Sequence, residues 1–141
     1  MREVILIAGL PGSGKSVLGR TLAAEKRYAL LDDASYVLKG AKLDSYLHTY
    51  LNEQGLVITD PYLCLTGAIE SARAMLKQFF GSVEIKVIAF ENNPAQCLEN
   101  VRARNDGRKV SGLIEVLSRS WQPEKVKDCE VRAVYSSSCK T

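Results

Sequence analysis

Residues 9 to 16 combine glycines, a lysine and a hydroxyl in one short segment, Gly9-Leu10-Pro11-Gly12-Ser13-Gly14-Lys15-Ser16. The segment matches G-x-x-x-x-G-K-[ST] at every specified position. Glycines let the backbone turn successive N–H groups toward an anion, while a lysine ammonium reaches the β- and γ-phosphates and a hydroxyl is placed for Mg²⁺. We therefore predict a nucleoside triphosphate site that extends to Val17, with Lys15 on the phosphates and Ser16 as a Mg²⁺ ligand.

Three carboxylates follow short apolar runs. Asp32 and Asp33 come after residues 28–31, and Asp60 comes after residues 56–59. Phosphoryl transfer to a hydroxyl needs a carboxylate that orients the hydroxyl and accepts its proton, so Asp32 or Asp33 is the candidate base. Asp60 is a candidate Mg²⁺ ligand, directly or through water. Ordinary turns or helix caps are the alternative for all three.

Arginines near residue 106 can supply positive charge to a transferring phosphoryl group. Arg104 and Arg108 flank a polar segment, and we predict a lid over about 104–111. A solvated charged surface is the alternative. Arg119 and Trp121 are candidates for flanking an adenine, with surface and core positions as the alternative.

The elements that must position these residues alternate along the chain. Apolar runs predict five strands, at 4–8, 28–31, 56–59, 85–90 and 131–135. Helical spacing predicts helices over 17–27, 42–54, about 65–80, 94–104 and about 112–121. Such alternation predicts an α/β fold, a three-layer sandwich with a parallel sheet and helices on both faces. Ligands bind at the carboxyl ends of such strands, where the motif and the carboxylates converge.

Length and composition limit the protein class. The chain has 141 residues, 46% hydrophobic and 25% charged, which predicts one domain over 1–141. No apolar run approaches the roughly 18 residues of a membrane span, and the first residues do not form a signal peptide. We therefore expect a cytoplasmic protein without a membrane partner. The net charge of +3 leaves a nucleic-acid partner open.

The cysteines favour reduced thiols over a metal site. The chain has no C-x-x-C pair, and His48 is its only histidine, so a zinc site is not expected. The four positions are Cys64, Cys97, Cys129 and Cys139.

The motifs together resemble those of the phage-type polynucleotide 5′-hydroxyl kinases and the small P-loop kinases around them. The resemblance covers about residues 2–122 and rests on five segments: 10–16, the pair Asp32-Asp33, 57–60, Arg104 with Arg108, and 116–121. It implies a P-loop NTPase fold and transfer of a phosphoryl group from ATP, with Mg²⁺, to a hydroxyl. It also implies that the first aspartate, Asp32, activates that hydroxyl and that Arg104 and Arg108 act on the phosphates.

Two departures concern the acceptor side. The family has an arginine after its Asp-Asp pair, where this chain has Ala34-Ser35, and small polar residues where this chain has Pro61-Tyr62. Tyr36 and Tyr62 are candidates for stacking a base, with packing as the alternative.

The acceptor therefore stays open at this point. We expect DNA as the acceptor, through a 5′-hydroxyl end or a hydroxymethyl group on a modified pyrimidine, as in related phage kinases. A small-metabolite or nucleoside kinase is the alternative enzyme. A nucleotide-binding module or switch without catalysis is the alternative of another class, although the sequence has neither an Asn-Lys-x-Asp motif nor Asp-x-x-Gly after Asp60. The oligomeric state is left open.

Overall fold

A five-stranded parallel sheet forms the centre of the fold. The computed structural model describes residues 1–105 and 107–136. The strands lie in the order β2-β3-β1-β4-β5, and every neighbouring pair is parallel. With helices on both faces, this confirms the predicted three-layer fold. The strands are β1 (Glu3–Ala8), β2 (Ala29–Leu31), β3 (Gly55–Asp60), β4 (Glu84–Phe90) and β5 (Cys129–Arg132).

Six α-helices and three 3₁₀ turns connect the strands in the described part of the chain. The helices are α1 (Lys15–Lys26), α2 (Ala34–Leu38), α3 (Leu43–Tyr46), α4 (Ala68–Phe80), α5 (Pro94–Arg104) and α6 (Ser111–Ser118). The 3₁₀ turns are Leu47–Tyr50, Pro61–Cys64 and Pro123–Lys125. Asn93 caps α5 by accepting from the backbone N–H of Gln96, as its sequence predicts.

The register of the central strands brings the candidate residues to one edge. All six residues of β1 are buried, and so are the first five of β3, as expected for strands covered on both faces. Ala8 pairs with Asp60, and Leu31 pairs with Ile58. The loop after β1, the aspartates after β2 and the end of β3 therefore meet at the carboxyl edge of the sheet.

The predicted helix over 42–54 is wrong. The structure has the four-residue α3 and then a 3₁₀ turn, Leu47–Tyr50. Leu47 is fully buried but Leu51 is 55% exposed, so the apolar spacing does not form one buried face. Lys42, the residue before α3, makes no side-chain cap. The apolar side chains are buried individually by a segment that has little helical order of its own.

The structure shows three smaller differences, and the first two have local causes. Helix α6 ends at Ser118 rather than 121, where Asn92 Nδ2 donates to the carbonyls of Ser118 and Trp121. Strand β5 is 129–132 rather than 131–135. Glu91 ends its pairing: its N–H donates to the Arg132 carbonyl, and its carboxylate accepts from Val134 N–H. The short helix α2 was not predicted.

The described cysteines include two buried thiols. Burial raises the pKa of Cys64 to about 12 and that of Cys97 to about 11. Cys139 lies outside the described residues. None of the described helices is both long enough and apolar enough to cross a membrane.

Asn100 anchors the loop after β1 from behind. It is fully buried on α5, and its Nδ2 donates to the carbonyls of Gly12 at 2.9 Å and Tyr135 at 2.8 Å. Its Oδ1 accepts from Gln96 Nε2 at 2.9 Å. One amide therefore joins α5, the glycine-rich loop and the segment after β5.

Glu3 anchors the opposite end of the sheet. Its Oε1 accepts from the Tyr28 hydroxyl at 2.8 Å, and its Oε2 lies 3.0 Å from Lys86 Nζ of β4. Burial opposes ionisation of Glu3, but the Tyr28 hydroxyl and the nearby lysines outweigh it and lower its pKa. The ionised side chain thus links β1 to β4 and to the residue before β2.

Asn100→Ala removes the amide that joins these three segments. Two carbonyls lose a donor, so we expect the free energy of unfolding to fall by about 2 kcal/mol. Urea denaturation measures this fall, with Asn52→Ala at an exposed position as the matched control, expected within about 0.5 kcal/mol of wild type. Equal effects of the two substitutions would contradict the anchoring role.

Glu3→Gln tests the pH dependence of the other anchor. Because the folded pKa of Glu3 lies below its usual 4.5, its ionised form stabilises the fold above that pH. We expect Glu3→Gln to cost about 1 kcal/mol near neutral pH, since Lys86 is half-exposed. The cost should shrink as pH falls below 4.5 through the lowered pKa. Urea denaturation across pH measures it, and a cost that is the same at all pH values contradicts the assignment.

Candidate active site

The loop between β1 and α1 has the geometry of an anion cradle. Gly12 (φ 88°) and Gly14 (φ 109°) adopt left-handed conformations, and Gly14 directly precedes the first residue of α1. A Cβ at Gly12 would lie 2.5 Å from the carbonyl oxygen of Cys97. Both positions therefore need glycine, which lets the backbone lie close to α5 and turn at the start of α1.

The polar side chains inside this loop are buried. Lys15 is 8% exposed, and its Nζ donates to the Leu10 carbonyl at 3.1 Å. Burial lowers the pKa of Lys15, and nearby negative groups, including Asp33 and Asp60, only partly offset this. The hydroxyl of Ser13 is buried without a hydrogen-bond partner in the described residues. A buried ammonium and an unpartnered hydroxyl in a glycine cradle fit a phosphate group.

A chain of hydrogen bonds connects Ser16 to both aspartates after β2. Ser16 Oγ donates to Asp32 Oδ1 at 2.9 Å, and Thr59 Oγ1 donates to the same oxygen at 2.6 Å. The N–H of Asp33 donates to Thr59 Oγ1 at 2.8 Å. The carboxylate beside the hydroxyl of Ser16 is therefore Asp32, not Asp60.

Asp33 has a different orientation from Asp32. Its backbone is left-handed (φ 54°), which costs a residue other than glycine about 1 kcal/mol or more, and its side chain does not cap α2. Its Oδ2 lies 3.1 Å from Arg108 Nη2, and the residue lines the pocket beside Lys15 and Ser16. The adjacent aspartates thus face different partners.

Asp60 organises the turn after β3. Its Oδ2 accepts from Ser35 Oγ at 2.6 Å, and its Oδ1 accepts from the N–H of Tyr62 at 3.2 Å. Burial raises the pKa of Asp60, although both hydrogen bonds oppose the shift. Asp60 caps the turn at Pro61 and ties it to Ser35 of α2.

A pocket of about 240 Å³ opens beside the glycine-rich loop. Tyr36 (74% exposed) and Tyr62 (42% exposed) line it. Arg104 and Arg108 line it too, so the structure brings both predicted lid arginines to the pocket. The remaining lining residues are Pro11, Gly12, Lys15, Ser16, Asp33, Ser35, Pro61, Val110 and Leu113.

Two residues considered for adenine lie elsewhere. Trp121 is 4% exposed and donates from Nε1 to the Phe90 carbonyl at 2.9 Å. Arg119 pairs with Glu115 on the surface of α6. Neither residue lines the pocket. Trp121 is a core residue and Arg119 is a surface residue, which is the alternative to adenine binding.

Sequence reasoning missed Thr59, Ser35 and Asn100. The apolar pattern predicts Thr59 only as the end of a strand, although a hydroxyl just before an aspartate is a usable signal. Ser35 belongs to the Ala34-Ser35 segment that departs from the arginine of the resembling family, and this departure does not predict its bond to Asp60. Nothing in the sequence distinguishes Asn100 from the other polar residues of α5.

Several solved structures share this fold. A gluconokinase from Sinorhizobium meliloti has a TM-score of 0.65 at 14% identity, over 96% of this chain and 86% of its own. Chaetomium thermophilum Kti12 in complex with ADP-AlF3 has a TM-score of 0.63 at 19% identity, over 92% of this chain and 88% of its own. A fungal RNA kinase has a TM-score of 0.63 at 14% identity, over 99% of this chain and 76% of its own. These likenesses show a P-loop kinase-like fold.

Sequence comparison shows a viral relative. No protein-family model matches the chain. "Uncharacterized protein R277" of Acanthamoeba polyphaga mimivirus is 32% identical over 148 residues, which cover 95% of this chain and 98% of the viral protein. The chain therefore belongs to the same family as this mimivirus protein, and its fold is that of the P-loop kinases.

Proposed function

We propose that the chain is an ATP-dependent phosphotransferase that moves the γ-phosphoryl group to a hydroxyl of a nucleic acid, as one domain over 1–141. The observation that carries the proposal is the position of Asp33. Its carboxylate shares a pocket with Lys15 and Ser16, the residues that match a phosphate and Mg²⁺ site. A simple nucleotide-binding module has no need for a carboxylate there.

The nucleotide side is formed by the glycine-rich loop, Lys15, Ser16 and Asp32. Lys15 would bind the β- and γ-phosphates, which supply the anionic partner for its buried ammonium. Ser16 directs its proton to Asp32, so its lone pairs remain for Mg²⁺. When bound there, Mg²⁺ would neutralise part of the phosphate charge. We assign Asp32 to this metal side in place of Asp60, which is engaged with Ser35 and Tyr62.

The acceptor side is assigned to Asp33 rather than Asp32. Asp32 Oδ1 already accepts two hydroxyl protons, whereas the Asp33 carboxylate lines the pocket and its partner is a surface arginine, Arg108. Asp33 accepts the proton of the acceptor hydroxyl as the new O–P bond forms. The bond between the γ-phosphorus and the bridging oxygen breaks, and ADP leaves.

The lid arginines lie where a transferring group needs positive charge. Arg104 ends α5, Arg108 precedes α6, and both line the pocket. A guanidinium there stabilises negative charge on the phosphoryl oxygens. The Arg108–Asp33 ion pair places the Arg108 guanidinium beside the acceptor carboxylate.

The choice of a nucleic-acid acceptor rests on the aromatic rim. Exposed tyrosines on a pocket give stacking surfaces for bases, and Tyr36 and Tyr62 are both exposed. The phage-type kinase motifs support the same acceptor. Proteins with this fold include ones named gluconokinase and RNA kinase, so the fold alone does not select the acceptor.

Asp33→Asn should separate binding from transfer. Loss of the base lowers kcat by about a hundredfold or more, while ATP affinity stays near wild type. Lys15→Ala should weaken ATP binding itself. Calorimetry for ATP and transfer of labelled γ-phosphate measure the two effects. Asp44→Asn, on the exposed face of α3, is the matched control and should retain activity. Full transfer by Asp33→Asn, with none by Lys15→Ala, would sink the assignment of the base.

The acceptor can be identified with three substrates. We expect label from Mg-ATP on a 5′-hydroxyl oligonucleotide or on a 5′-blocked duplex that carries hydroxymethyl pyrimidines. Tyr36→Ala and Tyr62→Ala should raise the KM for that acceptor by about tenfold, because each removes a stacking surface. Gluconate is the third substrate. If only gluconate is labelled, the nucleic-acid acceptor is contradicted, while kinase activity is still supported.

A further inference from the structure

We propose that Thr59 is a positioning residue whose single hydroxyl fixes both aspartates of the site. The proposal rests on the proposed function, in which Asp32 serves the metal and Asp33 serves the acceptor. It assigns to Thr59 the relative placement of these two roles.

The position of Thr59 follows from the sheet. It is fully buried at the penultimate position of β3, and the pairing of Ile58 with Leu31 places it beside Asp32. Its hydroxyl donates to Asp32 Oδ1 at 2.6 Å and accepts from Asp33 N–H at 2.8 Å. A hydroxyl has one proton, so donation to Asp32 leaves its lone pairs for the Asp33 N–H. Ser16, the other hydroxyl bonded to Asp32, reaches that aspartate through its side chain alone.

The bond to Asp32 controls the orientation of Ser16. Asp32 Oδ1 accepts from Thr59 and from Ser16, so rotation of this carboxylate breaks one bond or both. Without the Thr59 donor, Asp32 is held on this oxygen by Ser16 alone. The Ser16 proton then loses a fixed acceptor, and its lone pairs lose their fixed direction.

The bond to the backbone controls Asp33. Asp33 is in the left-handed region, a strained conformation that persists only where the surrounding groups hold it. Thr59 Oγ1 holds its N–H, and the carboxylate then reaches the pocket and Arg108. The same oxygen atom thus sets both the metal side and the acceptor side.

The methyl group of Thr59 has a separate packing role. A Cβ at Gly19 of α1 would lie 2.8 Å from Thr59 Cγ2, so the methyl packs closely against that helix. Thr59→Val keeps this methyl and removes the hydroxyl. Thr59→Ser keeps the hydroxyl and removes the methyl. The pair separates positioning from packing.

The test compares wild type, Thr59→Val and Thr59→Ser, with the exposed Thr21→Val as control. We measure ATP affinity with Mg²⁺ and with EDTA, and kcat and KM for the acceptor. For Thr59→Val we expect the gain in ATP affinity from Mg²⁺, and kcat, to fall by about 10–100-fold, with affinity in EDTA unchanged. Thr59→Ser and Thr21→Val should stay within about threefold of wild type, because neither removes a hydroxyl that touches an aspartate.

Equal behaviour of Thr59→Val and Thr59→Ser in the Mg²⁺ comparison overturns the proposal, as does a loss of melting temperature without a loss of the Mg²⁺ effect. If wild type transfers phosphate to no hydroxyl, the proposed function fails, and the Mg²⁺ comparison still tests Thr59. If Thr59→Val does not fold, amide exchange of metal-free wild type decides. Protection of the Asp33 N–H supports the proposal, and exchange at the rate of an exposed amide overturns it.

Discussion

The buried ammonium of Lys15 is the constraint on which the rest of the site depends. The carbonyl of Leu10 and the negative groups around Lys15 favour its charged form. Burial opposes this form and lowers the pKa of Lys15. A buried cation is stable only beside compensating negative charge. The aspartates after two neighbouring strands supply this negative charge. Because their carboxylates lie close to one another, they also repel one another. The charge of Lys15 is thus only partly compensated by the protein, and the negative charge of a bound phosphate would add to this compensation.

Hydroxyl groups make this crowded set of charges tolerable. Ser16 and Thr59 both donate to Asp32, and Ser35 donates to Asp60. Each such bond stabilises a partly buried carboxylate without adding a positive charge that would compete with Lys15. Asp33 has an arginine instead, Arg108, from a segment outside the sheet. The carboxylate that the proposed mechanism uses as a base is therefore the one paired with a half-exposed arginine rather than with hydroxyls.

The sequence predicted the parts of this site that depend on local patterns. The glycine spacing of residues 9–16 and the apolar runs before the aspartates fixed the loop, the parallel sheet and their shared edge. The prediction of a helix over 42–54 was wrong because apolar spacing does not distinguish a helix from a segment that buries Leu47 and exposes Leu51. The different partners of Asp32 and Asp33 depend on strand register and on one left-handed residue. Neither leaves a trace in residue spacing.

The link made by Asn100 has a consequence for biosynthesis. The carbonyl of Gly12 shares its amide donor with the carbonyl of Tyr135, which leaves the ribosome long after the loop itself. Because Gly12 accepts from Asn100, its carbonyl gains this donor only after translation has passed α5, 88 residues further along the chain. A nascent chain stalled before that point would carry the motif without its finished cradle.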